Sequence, residues 1–182
     1  DQALERYPNQ ALLYFYNGVA YYSKKEFEMA IRFLSYGRKY VGDPNLLEFF
    51  YAQLGDAHNA LEQHTQSDEA YEKALELNPS NEHVLNNYSY FLCLRNQQLL
   101  KAQEMAKKLI QKYPENATYL DTYGWVLYTM KQYEEAEIYL KKAALVDENG
   151  TVIEHYGDVL FELGKFKEAL TQWIRAKELG GT

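Results

Sequence analysis

Few side chains in this chain are able to do chemistry, and their spacing is wrong for most reactions. Four histidines occur, His58, His64, His83 and His155, together with one cysteine, Cys93. No histidine belongs to an HExxH pair and no second thiol is available, so the spacing of a zinc site is missing. Glu154, Asp158 and Glu162 recur at i, i+4 and i+8, which sets three carboxylates along one flank of a helix. That spacing is not the spacing of a calcium loop, and the ridge reads as a solvated acidic flank. No serine stands in a GxSxG elbow, and no glycine-rich stretch has the form of a phosphate loop. Cys93 falls among apolar residues and reads as a packed small hydrophobe. His58 reads as a hydrogen-bonded core residue. Nothing here assigns a catalytic residue, a cofactor or a metal, which leaves binding as the function to examine. Asn87-Tyr-Ser, Asn116-Ala-Thr and Asn149-Gly-Thr match glycosylation triplets, but they sit on helices or helix starts and are read as chance matches.

The composition narrows the choice of ligand. The 182 residues carry 19 basic and 26 acidic side chains, a net charge of −7, which disfavours general nucleic-acid binding. Hydrophobic residues at 47% suffice for a folded core. No apolar run approaches the roughly 20 residues that span a bilayer. A single cysteine excludes an internal disulfide. Tyrosine is abundant, at 18 residues, and it is the residue type best suited to wide, rigid contact surfaces.

The elements that position these residues repeat. Gly18, Gly55, Gly124 and Gly157 sit in similar segments, YFYNGVAYY, FYAQLGDAH, TYGWVLY and EHYGDVLF, with Ser89 midway between the second and third glycines. A second small residue follows each at twelve or thirteen positions: Ala30, Ser67, Ala102, Ala136 and Ala169. Four residues further on stand Leu34, Tyr71, Ala106, Leu140 and Trp173, large in every unit but the third. Each unit reads as two short amphipathic helices, A and B, and the small residues allow A and B to approach closely. Trp173 reads as a buried B-helix residue. The third unit, with Ser89, Ala106 and the longer loop RNQQLL, is expected to pack more loosely.

This pattern resembles the tetratricopeptide repeat, or TPR, over nearly the whole chain, and most closely that of bacterial TPR proteins, some of which are exported toward the cell envelope. The resemblance rests on stretches such as SDEAYEKALELNP, ATYLDTYGWVLYTMKQYEEAEIYLKKAAL and EHYGDVLFELGKFKEALTQWIRAKEL. It implies an all-α fold, a right-handed α-solenoid of stacked antiparallel helix pairs. The expected units are 11–44, 48–81, 82–116, 117–149 and 150–182, with residues 1–10 as the tail of a preceding, truncated repeat. It also implies that the A helices line a concave groove and that the function is non-enzymatic protein or peptide binding.

On a helical wheel the groove-facing stripes include Leu12, Phe15, Tyr16 and Tyr22, then Phe49, Ala52, Gln53 and Asp56. His83, Asn86, Asn87, Tyr90 and Cys93 follow, then Asp121, Thr122, Trp125 and Tyr128, then Glu154, His155, Asp158 and Phe161. The A segments 11–23, 48–60, 82–94, 117–129 and 150–162 hold seven acids and no Lys or Arg. A proportional share of the basic residues would be about seven. The expected binding residues are Phe15, Tyr16, Tyr22, Asp56, Asn86, Asn87, Tyr90, Asp121, Trp125, Tyr128, Glu154 and Asp158. Their aromatic and acidic character suits a basic or aromatic partner. TPR proteins that grip acidic chaperone tails use Lys, Arg and Asn. The corresponding positions here hold Leu12, Tyr16, Gln53, His83 and Asn87, so the resemblance implies no carboxylate clamp. Self-association, or docking to other parts of the same longer protein, is the alternative reading of the aromatic surface. RNA binding, known for related helical-pair repeats, is disfavoured by the missing bases.

Overall fold

A computed structural model describes residues 6, 7 and 9–180. The expected helix tail over residues 1–10 lies mostly outside the described residues. The rest is all-α: ten α-helices and one short 3-10 turn occur among the described residues. The helices alternate as A and B. They are α1 (Ala11–Ser23), α2 (Phe27–Gly37), α3 (Pro44–Ala60), α4 (His64–Leu77), α5 (Glu82–Leu94), α6 (Leu99–Lys112), α7 (Ala117–Thr129), α8 (Tyr133–Val146), α9 (Gly150–Glu162) and α10 (Phe166–Glu178). None of them is long and apolar enough to cross a membrane.

Helix starts follow local chemistry. The side chains of Asp43, Asn116 and Asn149 accept the backbone N–H of Asn45, Tyr119 and Thr151, and that of Asn81 accepts the N–H of Val84. Asn116 and Asn149 thus serve as helix caps. Asp43 followed by Pro44 starts α3 four residues before the expected Glu48, because proline is favoured in the first turn. The 3-10 turn Arg38–Tyr40 after α2 takes up the extra residues of the first connection.

The A-to-B turns share a device. Lys25, Glu62, Asn96, Lys131 and Gly164 all have φ between 51° and 73°, the left-handed region. Only the last is glycine, so four turns hold a side chain in a conformation that L residues disfavour. The longer third turn has a second such residue, Gln98, with φ 46°.

The chain forms two compact units, residues 1–84 and 85–182. In the first, α1 and α2, then α3 and α4, pair closely, and α2 packs on α3. Its core holds Leu34, Phe50 and Leu54. In the second, α7 pairs with α8 and α9 with α10, while α6 packs on α7 and α8 on α9. Leu120, Tyr123, Leu127, Leu140, Ile153 and Leu160 form its core. Full burial of each such side chain stabilises by about 1.5–3 kcal/mol.

The small residues work by proximity. A Cβ at Gly55 would stand 2.5 Å from the Tyr71 ring, one at Gly157 2.5 Å from Trp173, and ones at Gly18 and Gly124 2.5 and 2.7 Å from Leu34 and Leu140. The third unit, expected to pack loosely, reaches the same end differently. Ser89 and Ala106 are both fully buried, so a larger A residue is matched by a smaller B residue. Trp173 departs from expectation and is only partly buried. Its indole N–H reaches out to the Asp158 carboxylate at 2.9 Å.

Two opposite outcomes follow from these contacts. Gly124→Ala improves helix propensity by about 1 kcal/mol but drives a methyl into Leu140, so net destabilisation of about 1–2 kcal/mol is expected in urea melts. Lys131→Gly relieves the left-handed turn and should stabilise by up to about 1 kcal/mol. A stabilised Gly124→Ala would refute the close-approach account.

Candidate functional site

In the first unit, Phe15 packs on Phe50 with ring centroids 5.2 Å apart, while Tyr16 is largely exposed. Tyr22 is partly buried against Phe27, and burial, followed by the Asp56 charge, pushes its hydroxyl above the ordinary tyrosine value. Asp56 is buried. It accepts the Tyr71 hydroxyl at 2.6 Å, lies 2.6 Å from His83 Nε2, and is within 3.4 Å of the Gln53 amide. Glu48, the first residue of the expected A segment 48–60, lies inside α3, is buried and takes hydrogen bonds from the side-chain amides of Asn78 and Asn81.

In the second unit, Asp121 is buried, with His155 Nδ1 2.9 and 3.2 Å from its two oxygens. The Thr122 hydroxyl donates to the Asn86 side-chain oxygen at 2.9 Å, and Asn86 in turn donates to Asn87 at 3.3 Å. Cys93 Sγ lies 3.0 Å from Thr129 Oγ1 and 3.5 Å from the Trp125 carbonyl oxygen. Burial pushes its thiol up to about 11, so it is inert near neutral pH. Among the twelve expected residues, Asp56 and Asp121 are spent within their units, and Asn86 and Asp158 partly so.

One flank of the second to fifth stripes is therefore covered rather than open. Ala52, Asp56, Cys93, Asp121, Thr122 and His155 were all expected to face the groove, and all are buried. Neighbouring A helices touch along that flank, and these residues fill the seam. His58 is only partly buried, with Nδ1 2.7 Å from Gln63 Oε1. His83, His155 and Thr122 were not singled out as functional, yet they build the seam. One signal for its wider pattern was present: Asp56 and Asp158 each follow the helix-A glycine and sit 15 residues before Tyr71 and Trp173, their donors on helix B.

What remains open on the second unit is an aromatic and acidic face. The Trp125 ring stacks on Tyr128 at 4.6 Å and on His155 at 3.9 Å, with interplanar angles of 11° and 19°. Tyr128 also meets Tyr133 at 5.6 Å. Burial first, then the negative charges of Asp158 and Glu162, push the Tyr128 hydroxyl up to about 12. Tyr90, partly buried, is raised by burial and by Asp121. Burial also raises the Asp158 carboxyl, against the lowering effect of the Trp173 N–H. Glu154 and Asp158 are partly exposed and Glu162 is exposed. The A helices α1, α3, α5, α7 and α9 carry no Lys or Arg. Such a surface can stack planar groups and attract cations.

The contact with Asp56 shifts the proton affinity of His83. The hydrogen bond to Asp56 raises His83 above the ordinary histidine value of 6.5, with burial opposing and the Asp56 charge adding to the rise. The charged pair therefore contributes fully below pH 6.5 and its contribution is lost as pH rises through the raised value. His83→Gln is expected to flatten the pH dependence of the melting temperature between about 5.5 and 8. An unaltered profile would remove the pair from the account.

Two regions, 50–81 and 117–149, match one tetratricopeptide-repeat family model, and residues 70–104 match a second. Among solved structures the chain is similar to PilF of Pseudomonas aeruginosa, at 23% identity and a TM-score of 0.80, over 95% of this chain and 78% of that one. It is also similar to MamA of Desulfovibrio magneticus RS-1, at 21% identity and a TM-score of 0.78, over 93% and 94% of the two chains. MamA AMB-1 follows at 20% identity and 0.68, over 94% and 93%. No curated protein matches the chain at a significant level.

Proposed function

We propose that this chain, in which tetratricopeptide-repeat models match residues 50–104 and 117–149, is a non-enzymatic scaffold whose second unit binds a basic or aromatic segment of a partner protein. The repeat class supports a protein-interaction scaffold in general. The choice of ligand rests on one observation: the partly exposed Trp125 and Tyr128 rings, backed by buried His155, lie beside Glu154, Asp158 and Glu162, on helices without a single Lys or Arg. Stacked rings present broad, stiff area at small entropic cost, and a cation over such a ring gains from both the π face and a neighbouring carboxylate. Exposed Phe161, Phe166, Leu170 and Ile174 favour the second reading, self-association or docking within a longer protein.

A peptide-display selection on the full chain tests the first reading. Lys, Arg and aromatic residues should be enriched on the wild type. Binding of the selected peptides should fall by about tenfold or more with Glu154→Lys/Glu162→Lys, and its salt dependence should flatten. Selection of acid-rich peptides, or an unchanged affinity in the variant, would overturn the electrostatic assignment. Concentration-dependent light scattering that rises without any peptide would favour self-association.

A further inference from the structure

The first unit has a cavity of opposite character. It measures about 760 Å³ and opens beside α1 and α2, within the size range of pockets that bury a ligand. Its wall is apolar and aromatic: Met29, Phe33 and Tyr36, with Tyr14 behind them. The rings are already locked together. Tyr14 lies 5.1 Å from Tyr36 and 6.3 Å from Phe33, Phe33 stacks on Tyr21 at 5.1 Å, and the Tyr36 and Tyr40 hydroxyls meet at 2.9 Å.

Around that wall stand Arg32, Arg38 and Lys39. Among the described residues no carboxylate comes within 4.0 Å of any of them. Lys39 and Arg38 lie instead over aromatic rings, Lys39 over Tyr36 at 5.5 Å and Arg38 over Tyr51 at 5.4 Å. Lys73 approaches the same Tyr51 ring at 5.6 Å. Two cations sharing one ring, in a chain of net charge −7, concentrate positive potential there, with Glu69 nearby but outside ion-pair distance.

We propose that this cavity is a second docking site, taking an acidic amphipathic peptide segment. Its apolar side chains enter between Met29, Phe33 and Tyr36, and its carboxylates meet Arg32, Arg38 and Lys39. A small inorganic anion would satisfy the cations but leave the aromatic wall wet, and a purely apolar segment would leave the cations unused. Guanidinium groups suit carboxylates because they offer paired, rigid donors. The site lies in the other unit from the basic-ligand face and does not depend on it.

The test uses the full chain and a fluorescein-labelled, end-capped helical peptide with Leu and Phe along one face and Glu on the other. A peptide of the same composition with the periodicity scrambled is the control. Anisotropy should show the ordered peptide binding about tenfold more tightly than the scrambled one, and weakening about tenfold in Arg32→Glu/Lys39→Glu. Arg32→Gln/Lys39→Gln, a gentler pair, should weaken it less, and circular dichroism of both variants should match the wild type. Equal binding of the two peptides, or unchanged affinity in both folded variants, would overturn the proposal. So would wild-type self-association that disappears in the variants, since the occupant would then be a second copy of this chain.

Discussion

The approach of helix A to helix B at a position without a side chain is what the rest of the structure depends on. Gly18, Gly55, Gly124 and Gly157 each face a residue whose atoms stand where a Cβ would be. Placing a glycine in mid-helix costs about 1 kcal/mol of propensity, so the contact must return more than that. It does so by letting a Leu, Tyr or Trp of helix B lie directly against the helix A backbone. In the third unit the corresponding positions hold Ser89 and Ala106, both fully buried, so a larger A residue stands with a smaller B residue and the constraint reads as one of combined volume.

From that packing follows the fate of the acids. Where helix B brings Tyr71 or Trp173 to the glycine, the aromatic group arrives with an O–H or N–H that needs an acceptor, and Asp56 or Asp158 supplies it. Where helix B brings Leu34 or Leu140, no donor needs a partner, and the residue after the glycine is Val19 or Trp125. Histidines complete the seam between adjacent A helices, His83 on Asp56 and His155 on Asp121. Buried carboxylates in this chain are thus held by hydrogen bonds from known partners, the condition under which burial is tolerable.

Much of the architecture could be read from residues alone because its cause is periodic. Small residues recurring near every 34 positions specify helix pairs whatever the intervening sequence. Helix-start chemistry stands in the sequence at Asp43–Pro44, Asn81, Asn116 and Asn149, and Asp43–Pro44 sets the start of α3 four residues before the expected segment 48–60. The candidate face was less legible. A helical wheel resolves direction but not which neighbour stands there, so Asp56, Asp121 and Thr122 looked open when an adjacent helix covers them. Aromatic positions fared differently: Tyr16 is exposed, and Trp125 and Tyr128 sit in a stack at least partly open to solvent. The cavity beside α1 and α2 carries no signal in the sequence, since Met29, Phe33 and Tyr36 stand at the i, i+4 and i+7 spacing of any amphipathic helix.

Charge segregation links the two candidate sites. The A helices pack on both flanks and keep only a strip of surface, and that strip already faces carboxylates fixed by the seam. A lysine there would be drawn to those carboxylates and compete with the Tyr71, His83, His155 and Trp173 donors that hold them. Excluding bases from the A helices therefore protects the seam, and it leaves the strip negative as a consequence. The basic residues then lie on helix B and the turns, where Lys142, Lys165 and Arg175 pair with Glu115, Glu137 and Glu148. On the first unit they gather about aromatic rings, with Arg38 and Lys73 on Tyr51 and Lys39 on Tyr36. A single packing rule thus produces an acidic aromatic face and a basic aromatic cavity on helices of opposite type.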